Sequence, residues 1–367
     1  MKFKVQRDAL LRPLLLVTGV VERRHTLPIL ANLLLDVEGD QVRLTGTDLE
    51  VELVARIGGV DVSQPGRATI PARKLADIWR SLPDSAELTV EVEEDRALIR
   101  SGRSRFSLAS LSAEGFPGIE GAAADVEFTV SQAELQRLID ETSFSMAQQD
   151  VRYYFNGLLL EVDSSRVRAV ATDGHRMAIA TRAEGVSGIE RTQVIIPRKG
   201  VMELGRLLGD GDEPVTVSLS RNHLKAQVGN FALTTKLVDG RFPDYERVVP
   251  KDCGRSFGAD RETLKQAFMR ASILSNEKYR GVRLLLEKGQ LTIQANNPEQ
   301  DEAEEVVPVD YDGDKLEMSF NVSYLLDVLG VVSSEQVRFS ISDANGSALL
   351  EAVDDSDALY IVMPMRL

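Results

Sequence analysis

The chain has 367 residues, 43% of them hydrophobic, which is too long for one ordinary core and predicts a folded protein of two or three domains. No apolar run reaches the roughly 18 residues of a membrane span and MKFKVQRDAL lacks an apolar signal core, so a cytoplasmic protein with no membrane partner is expected. A net charge of −14 argues against a surface coated for nucleic acid, although a local basic face remains open, and the single Cys253, read as a passive thiol, excludes an intrachain disulfide or thiolate cluster.

In chain order, FKVQRDALLRPL from Phe3 reads as a strand entering a helix with apolar residues at helical spacing. NLLLDVEGDQVRLTGTDLEVEL from Asn32 alternates as half-buried strands do, for example at Val42-Arg43-Leu44. IPARKLADI from Ile70 repeats the strand-to-helix step, with Pro71 tolerable near a helix start. EGFPGIEGAAAD (114–125), rich in Gly, Pro and Ala, reads as a linker.

The pattern then begins again. FTVSQAELQRLI from Phe128, NGLLLEVDSSRVRAVATDGHRMAI from Asn156 and IPRKGVMEL from Ile196 follow the same sequence of elements, with Pro197 near its helix start. A second linker, GRFPDYERVVPKDCG (240–254), leads to FGADRETLKQAF from Phe257, GVRLLLEKGQLTIQANNPEQDEA from Gly281 and FNVSYLLDV from Phe320. Leu10, Leu135 and Leu264 fall in register, as do Thr47-Asp48, Thr172-Asp173 and Asn296-Asn297, and the first two copies are offset by 125 positions at Phe3, Leu33 and Thr47. Asp8, Ser131 and Asp260 lie where helix N-caps belong. Three copies of two strand-to-helix modules predict an α+β fold of three domains, 1–125, 126–252 and 253–367, in which helices cover one face of antiparallel sheets.

The six helix candidates, taken as 7–24, 72–82, 131–146, 197–208, 260–274 and 321–332, hold 14 Lys and Arg against 10 Asp and Glu, whereas the remainder holds 29 against 47. Solvent-facing charged helices fit these counts. Equivalent helices lining one surface fit them as well, and would gather Arg7, Arg12, Arg73, Arg80, Arg137 and Arg206 inside an acidic shell of sheets. Helices pack about 8 to 10 Å apart, so a circle of six leaves almost no hole. Twelve from two chains give ~38 Å between axes and, less a helix diameter of about 10 Å, a bore of roughly 28 Å. A duplex of roughly 20 Å would pass with water around it.

ATDGHRMAI (171–179) sets Asp173 beside His175 and raises the question of a catalytic pair. His25 and His223 show no ligand spacing, the equivalent turns TGTDLEVEL and ANNPEQDEA have no histidine, and no phosphate-binding GxxxxGK[ST] loop occurs. No catalysis, metal or cofactor is therefore expected, and ATP-driven opening would need another protein.

TLPILANLLL, LTGTDLEVELVARI, SGRSRFSLASL, FSMAQQDVRYYFNG, VATDGHRMA, VIIPRKGV, KLVDGRFPDYERV, SNEKYRGVRL, ANNPEQDEAEE, FNVSYLLDVL and YIVMPMRL closely resemble, in order from Met1 to Leu367, the bacterial DNA polymerase III beta subunit family, the replicative sliding clamps. The resemblance implies a head-to-tail homodimeric ring around double-stranded DNA, with helices inside and sheets outside. It implies a groove that takes linear peptides of the replicative polymerase, the ATP-dependent clamp loader, other polymerases and repair proteins. Groove positions by resemblance are Phe155, Thr172, Gly174, His175, Arg176, Met177, Pro243, Arg247, Val248, Asn321, Tyr324, Ser347, Ile361, Met363, Pro364, Met365 and Arg366. Met and Pro would give an adaptable apolar wall and Arg would fix polar ends. Phe155, Met177 and Asn345 stand where other clamps often carry different residues.

The same resemblance places Arg24, Arg73, Gln149, Tyr153, Tyr154, Arg198 and Lys199 toward DNA, with contacts to phosphates rather than bases. A core role for one of the two tyrosines fits equally. For closure, the basic run RALIRSGRSRF, with Arg96, Arg103, Arg105 and nearby Lys74, would face the acidic PEQDEAEE, with Glu299, Asp301, Glu302 and Glu305, around an apolar centre of Phe106, Leu108, Ile273 and Leu274. Both runs also read as edge strands blunted by charge.

Overall fold

A computed structural model of the chain describes residues 1–22, 27–119, 123–182, 186–251, 253–354 and 357–366. Its α-helices are α1 (Arg7–Val20), α2 (Ala72–Ser81), α3 (Gln132–Thr142), α4 (Arg198–Leu207), α5 (Arg261–Ile273) and α6 (Val322–Val331). Each follows directly on a strand, respectively Lys2–Gln6, Gly66–Pro71, Val126–Ser131, Thr192–Pro197, Arg255–Asp260 and Leu316–Asn321. The six strand-to-helix modules read from the repeat are therefore present. No helix among the described residues is long and apolar enough to cross a membrane.

Helix ends follow local chemistry. Ser131 Oγ accepts the Glu134 N–H at 3.2 Å while the Glu134 carboxylate accepts the Ser131 N–H at 3.4 Å, a reciprocal capping box. Asp260 caps α5 by accepting the Thr263 N–H at 2.8 Å. Asp8 departs from expectation, because it lies inside the first turn and Gln6 is the boundary residue. The Arg7 N–H goes to the Ala86 carbonyl at 2.8 Å, and Asp8 accepts the Ser85 N–H at 3.0 Å instead of closing its own helix. Helix α1 also stops at Val20, short of the expected 24, where Val21 turns extended and gives its N–H to the Thr18 carbonyl at 3.2 Å. Two adjacent β-branched valines, poor helix formers, account for the early stop. Helix α3 gives way at Thr142, whose hydroxyl bonds back to the Leu138 carbonyl at 2.6 Å, and a 3-10 turn, Ser143–Ser145, follows.

The chain forms two compact units, Met1–Gln136 with Lys199–Leu237, and Arg137–Arg198 with Val238–Leu367. The first holds a five-stranded sheet in the order Asp61–Gln64, Lys2–Gln6, Glu87–Glu93, Arg96–Ser101, Ser104–Ala109. Its eight-stranded sheet runs Val126–Ser131, Pro214–Leu219, His223–Val228, Phe231–Lys236, Val51–Ile57, Gln41–Thr47, Asn32–Glu38, Gly66–Pro71. A seam pairing Phe231 with Ala55 and Thr235 with Val51 joins the second repeat to the first. Packed on this unit, α2 buries Ala72, Leu75, Ala76 and Trp79, the i, i+3, i+4, i+7 stripe of an amphipathic helix. Burial of each large member stabilises by about 1.5–3 kcal/mol.

The second unit repeats the plan. Its eight-stranded sheet runs Thr192–Pro197, Gly157–Val162, Val167–Thr172, Arg176–Arg182, Ala358–Val362, Ala348–Ala352, Gln336–Ile341, Arg255–Asp260. The seam here pairs Met177 with Ile361 and joins the second repeat to the third. A four-stranded sheet, Glu302–Pro308, Gln290–Asn296, Gly281–Glu287, Leu316–Asn321, completes the unit. All named strand pairs are antiparallel. Phe257 stacks on Phe339 at 4.9 Å within a core that includes Phe268, Phe320 and Leu325.

Candidate functional site

The turn at Asp173 is built by its own side chains. Thr172 Oγ1 donates to the Arg176 carbonyl at 2.6 Å and accepts the Gly174 N–H at 3.0 Å. Asp173 Oδ1 accepts the N–H groups of His175 at 2.9 Å and Arg176 at 3.0 Å, and its Oδ2 accepts Arg176 Nε at 3.1 Å. Gly174 supplies the left-handed φ of +88° that the turn requires. Asp173 thus meets His175 through a backbone N–H, with no carboxylate-to-imidazole bond of the kind a proton relay needs.

One repeat earlier the same turn recurs without histidine. Thr47 Oγ1 donates to the Val51 carbonyl at 2.9 Å, Asp48 Oδ1 accepts the Glu50 and Val51 N–H groups at 2.9 and 2.7 Å, and Leu49 takes a φ of +78°. The Thr-Asp pair is therefore turn architecture, and His175 occupies the place of Glu50.

Around this turn the second unit assembles a mixed apolar and charged surface. The Arg176 guanidinium donates to the Phe144 carbonyl at 2.8 Å, ion-pairs with Asp327, and lies 4.5 Å from the Tyr324 ring centre and 5.3 Å from that of Phe144. Burial, with Asp173 and Asp327 nearby, pushes the Tyr324 hydroxyl above its ordinary pKa against the opposing pull of Arg176. Asn321 caps α6 by accepting the Ser323 N–H at 2.9 Å, which fixes the helix that carries Tyr324 and Asp327. The C-terminal segment is held between the turn and a strand: the Met363 N–H donates to the His175 carbonyl at 2.9 Å, and the Met365 N–H to the Ser319 carbonyl at 2.7 Å.

Beneath lies an apolar floor. Phe155, Met177 and Ile361 are buried in one cluster with Leu159, Ile179, Phe242, Tyr245 and Leu349, so Met177 is floor rather than adaptable wall. Met363 is 39% exposed and forms wall. Pro243, Arg247 and Val248 are exposed on the linker that Phe242 and Tyr245 anchor in this cluster, and Arg247 ion-pairs with Asp244 at 2.7 Å. Ser347, half-buried, precedes the strand that supplies Leu349, and Asn345 is exposed in the turn before it. Pro364 is half-buried beside Met365, while Met365 and Arg366 border a cavity of about 1050 Å³ with Asn276 and Tyr279. Cys253 is half-buried against the same cluster.

Sequence reasoning missed Arg152 and Asp327. The Arg152 guanidinium grips Asp150 at 2.8 and 2.9 Å, donates to the Asp173 carbonyl at 3.3 Å and lies 4.5 Å from the Phe155 ring centre. These bonds hold the Asp150 carboxyl down to about 2. A Cβ on Gly174 would come within 2.8 Å of that guanidinium. The only sequence signal for Arg152 is its three-residue spacing from Phe155. Asp327 had a better one, since it stands three residues after Tyr324 on the same helix.

The other candidates distribute as follows. Arg24 lies outside the described residues. Arg73 and Lys74 are exposed at the start of α2. Gln149 adopts a φ of +57°, and Arg198 donates to the Met146 carbonyl at 3.2 Å. Lys199 is held by Glu22 at 3.1 Å and by Asp48. Tyr153 is 56% exposed, whereas Tyr154 packs edge-on against Phe155 at 4.8 Å and joins the floor cluster. Arg96, Arg103 and Arg105 are exposed around the edge strand that carries half-buried Phe106 and Leu108. Ile273, 75% exposed, and half-buried Leu274 end α5. Glu299, Asp301 and Glu302 are exposed at the edge of the four-stranded sheet, and Glu305 pairs with Arg270 at 2.6 Å.

Three family models match the chain: the N-terminal, central and C-terminal domains of the DNA polymerase III beta subunit, over residues 1–120, 129–244 and 246–366. The beta sliding clamp of Pseudomonas aeruginosa is 56% identical over 367 residues and that of Escherichia coli K12 is 53% identical, both covering 100% of each chain. A crystal structure of the Pseudomonas aeruginosa clamp bound to griselimycin superposes with a TM-score of 0.97 at 56% identity, and Caulobacter crescentus pol III beta with 0.93 at 39%, each over 100% of both chains.

Proposed function

Because this chain belongs to the DNA polymerase III beta subunit family, the bacterial beta sliding clamps, we propose that it is a non-catalytic processivity factor whose two copies close head to tail around duplex DNA. The repeat supports three domains, 1–125, 126–252 and 253–367, whereas the three family models span 1–120, 129–244 and 246–366, the last beginning seven residues before the third domain. The ring holds a polymerase near its template by topology, turning each rebinding into an intramolecular event. Duplex is met through phosphates by Arg24, Arg73, Gln149, Tyr153, Arg198 and Lys199. The surface around Asp173 takes linear peptides of the replicative polymerase, the clamp loader and repair proteins, in the bacterial cytoplasm.

The observation that carries closure is a pair of unmatched sheet edges. Within the two units, the last strand of one repeat's second module pairs with the last strand of another repeat's first module, Phe231–Lys236 with Val51–Ile57 and Ala358–Val362 with Arg176–Arg182. The strands left over in those roles are Ser104–Ala109 and Glu302–Pro308, each an edge of its sheet. Carrying the register across sets Arg105 opposite Glu304, Phe106 opposite Ala303 and Ser104 opposite Glu305 of a second copy. An exposed edge with half-buried aromatic and aliphatic side chains is a liability for a lone chain and an interface for two. The charges across it complement one another.

Light scattering across a dilution series tests the two-chain reading. A mass of about 81 kDa, twice the 40.4 kDa chain, is expected at micromolar concentration. A monomer throughout would remove the ring, since six helices leave no room for a duplex.

A further inference from the structure

The repeat that builds the peptide surface of the second unit builds its counterpart in the first. Glu52 pairs with Thr234 as Met177 pairs with Ile361, and Thr234 pairs with Lys225 as Ile361 pairs with Leu349. Phe116-Pro117 of the first linker corresponds to Phe242-Pro243 of the second. At this place the first unit has an open cavity of about 710 Å³, walled by Glu52, Thr234, Lys225, His223 and the linker residues Phe116 to Ile119. The framework is shared, but the chemistry is not. Met177, Ile361 and Leu349 give way to Glu52, Thr234 and Lys225, and Arg43, Arg56 and Arg67 surround them.

We propose that this cavity is a second docking site on the protein, one that takes a short acidic peptide segment of a partner in place of an apolar one. The proposal rests on reading the second unit's surface as a peptide groove. Four cations, Arg43, Arg56, Arg67 and Lys225, stand against one carboxylate in the wall. Arg43 and Arg67 share Asp36, while Arg56 and Lys225 have no carboxylate at ion-pairing distance among the described residues. Glu52 is already engaged, accepting the Ile119 N–H at 3.1 Å, and burial pushes its carboxyl above the ordinary range, which makes its charge the easiest in the wall to neutralise. His223, whose buried Nδ1 has no hydrogen-bond partner, also lines the cavity. In a chain of net charge −14, a concave cluster of four cations, two of them without a carboxylate at ion-pairing distance among the described residues, concentrates anions locally. A volume more than twenty times the ~30 Å³ share of one water exceeds what a lone inorganic anion fills and suits several residues of extended chain.

Titration calorimetry on the full-length protein at low salt tests this with two capped probes, one of alternating Asp and Glu and one rich in Leu and Phe. The acidic probe is expected to bind wild type, to weaken at least tenfold with Arg56→Glu plus Lys225→Glu, and to be unaffected by Met363→Ala plus Met365→Ala. Arg56→Gln plus Lys225→Gln repeats the measurement should charge reversal disturb folding. The apolar probe should show the opposite pattern, so that its failure to respond to the methionine variant would fault the groove reading and leave the acidic site standing. Equal affinity of the acidic probe for wild type and both charge variants, or its displacement by the apolar probe, would overturn the proposal. Displacement by inorganic phosphate at equal concentration would reduce the cavity to a small-anion site and overturn the peptide assignment.

Discussion

Glu161 is the most constrained carboxylate near the groove. It is fully buried and receives Arg191 at 2.6 Å, Gln193 at 2.6 Å and Arg166 at 3.2 Å, with the Tyr245 hydroxyl at 3.4 Å. Tyr245 in turn accepts Arg168 at 3.0 Å, so the network pins the linker that presents Pro243, Arg247 and Val248. Burial pushes the Glu161 carboxyl up, but the hydrogen bonds from Arg191 and Gln193 outweigh it and the pKa is lowered. A carboxylate with a depressed folded pKa stabilises fully above its unfolded value near ~4.3 and loses that contribution as pH falls toward the folded one. Glu161→Gln should therefore cost about 3 kcal/mol near neutrality, and the gap from wild type should narrow below about pH 4.5 in denaturant titrations. A gap that stays constant down to about pH 3 would assign the loss to packing. Met363→Ala with Met365→Ala should weaken an apolar peptide roughly tenfold or more, because wall residues on a desolvated floor carry most of the binding energy. Unchanged affinity in a fluorescence titration would remove both methionines from the groove. At this scale the sequence showed Thr172 and Asp173 plainly, since their partners are local. Arg152 and Asp327 were hidden because tertiary packing brings them to the turn.

Six elements entered the structure almost where their sequences put them. A strand, a cap or proline, and an apolar 3.6-residue stripe coincide at Ser131, Pro71 and Asp260, so propensity and burial agree there. Their ends were less legible: α1 stops at a valine pair and α3 at a threonine that bonds backward, both side-chain effects that periodicity does not register. Sheet order was legible only through the repeat, because no local signal tells Phe231–Lys236 to pair with Val51–Ile57. The leftover edges give the strongest test at this scale. Arg105→Glu should raise the dimer dissociation constant at least tenfold, and adding Glu304→Arg should restore much of it, as a cross-strand charge pair requires. Failure of the second change to rescue, with both chains folded, would mean the register is wrong.

Twice in this chain a hairpin strand of one repeat completes an eight-stranded sheet with a strand of its neighbour, while Ser104–Ala109 and Glu302–Pro308, in the same roles, have no such partner strand among the described residues. The proposed ring follows from supplying that partner from a second copy. The repeat spacing and the excess of basic residues in the helices point toward such a ring but name no partner. Basic helices fit a solvent-facing role just as well. Family membership gave the duplex and the polymerase. The protein loaded by an ATP-dependent clamp loader onto nicked circular DNA is expected to stay bound through gel filtration at high salt and to be released when the circle is cut once. Loss from intact circles at the same rate as from linear DNA would contradict encirclement and leave only ordinary, salt-sensitive binding.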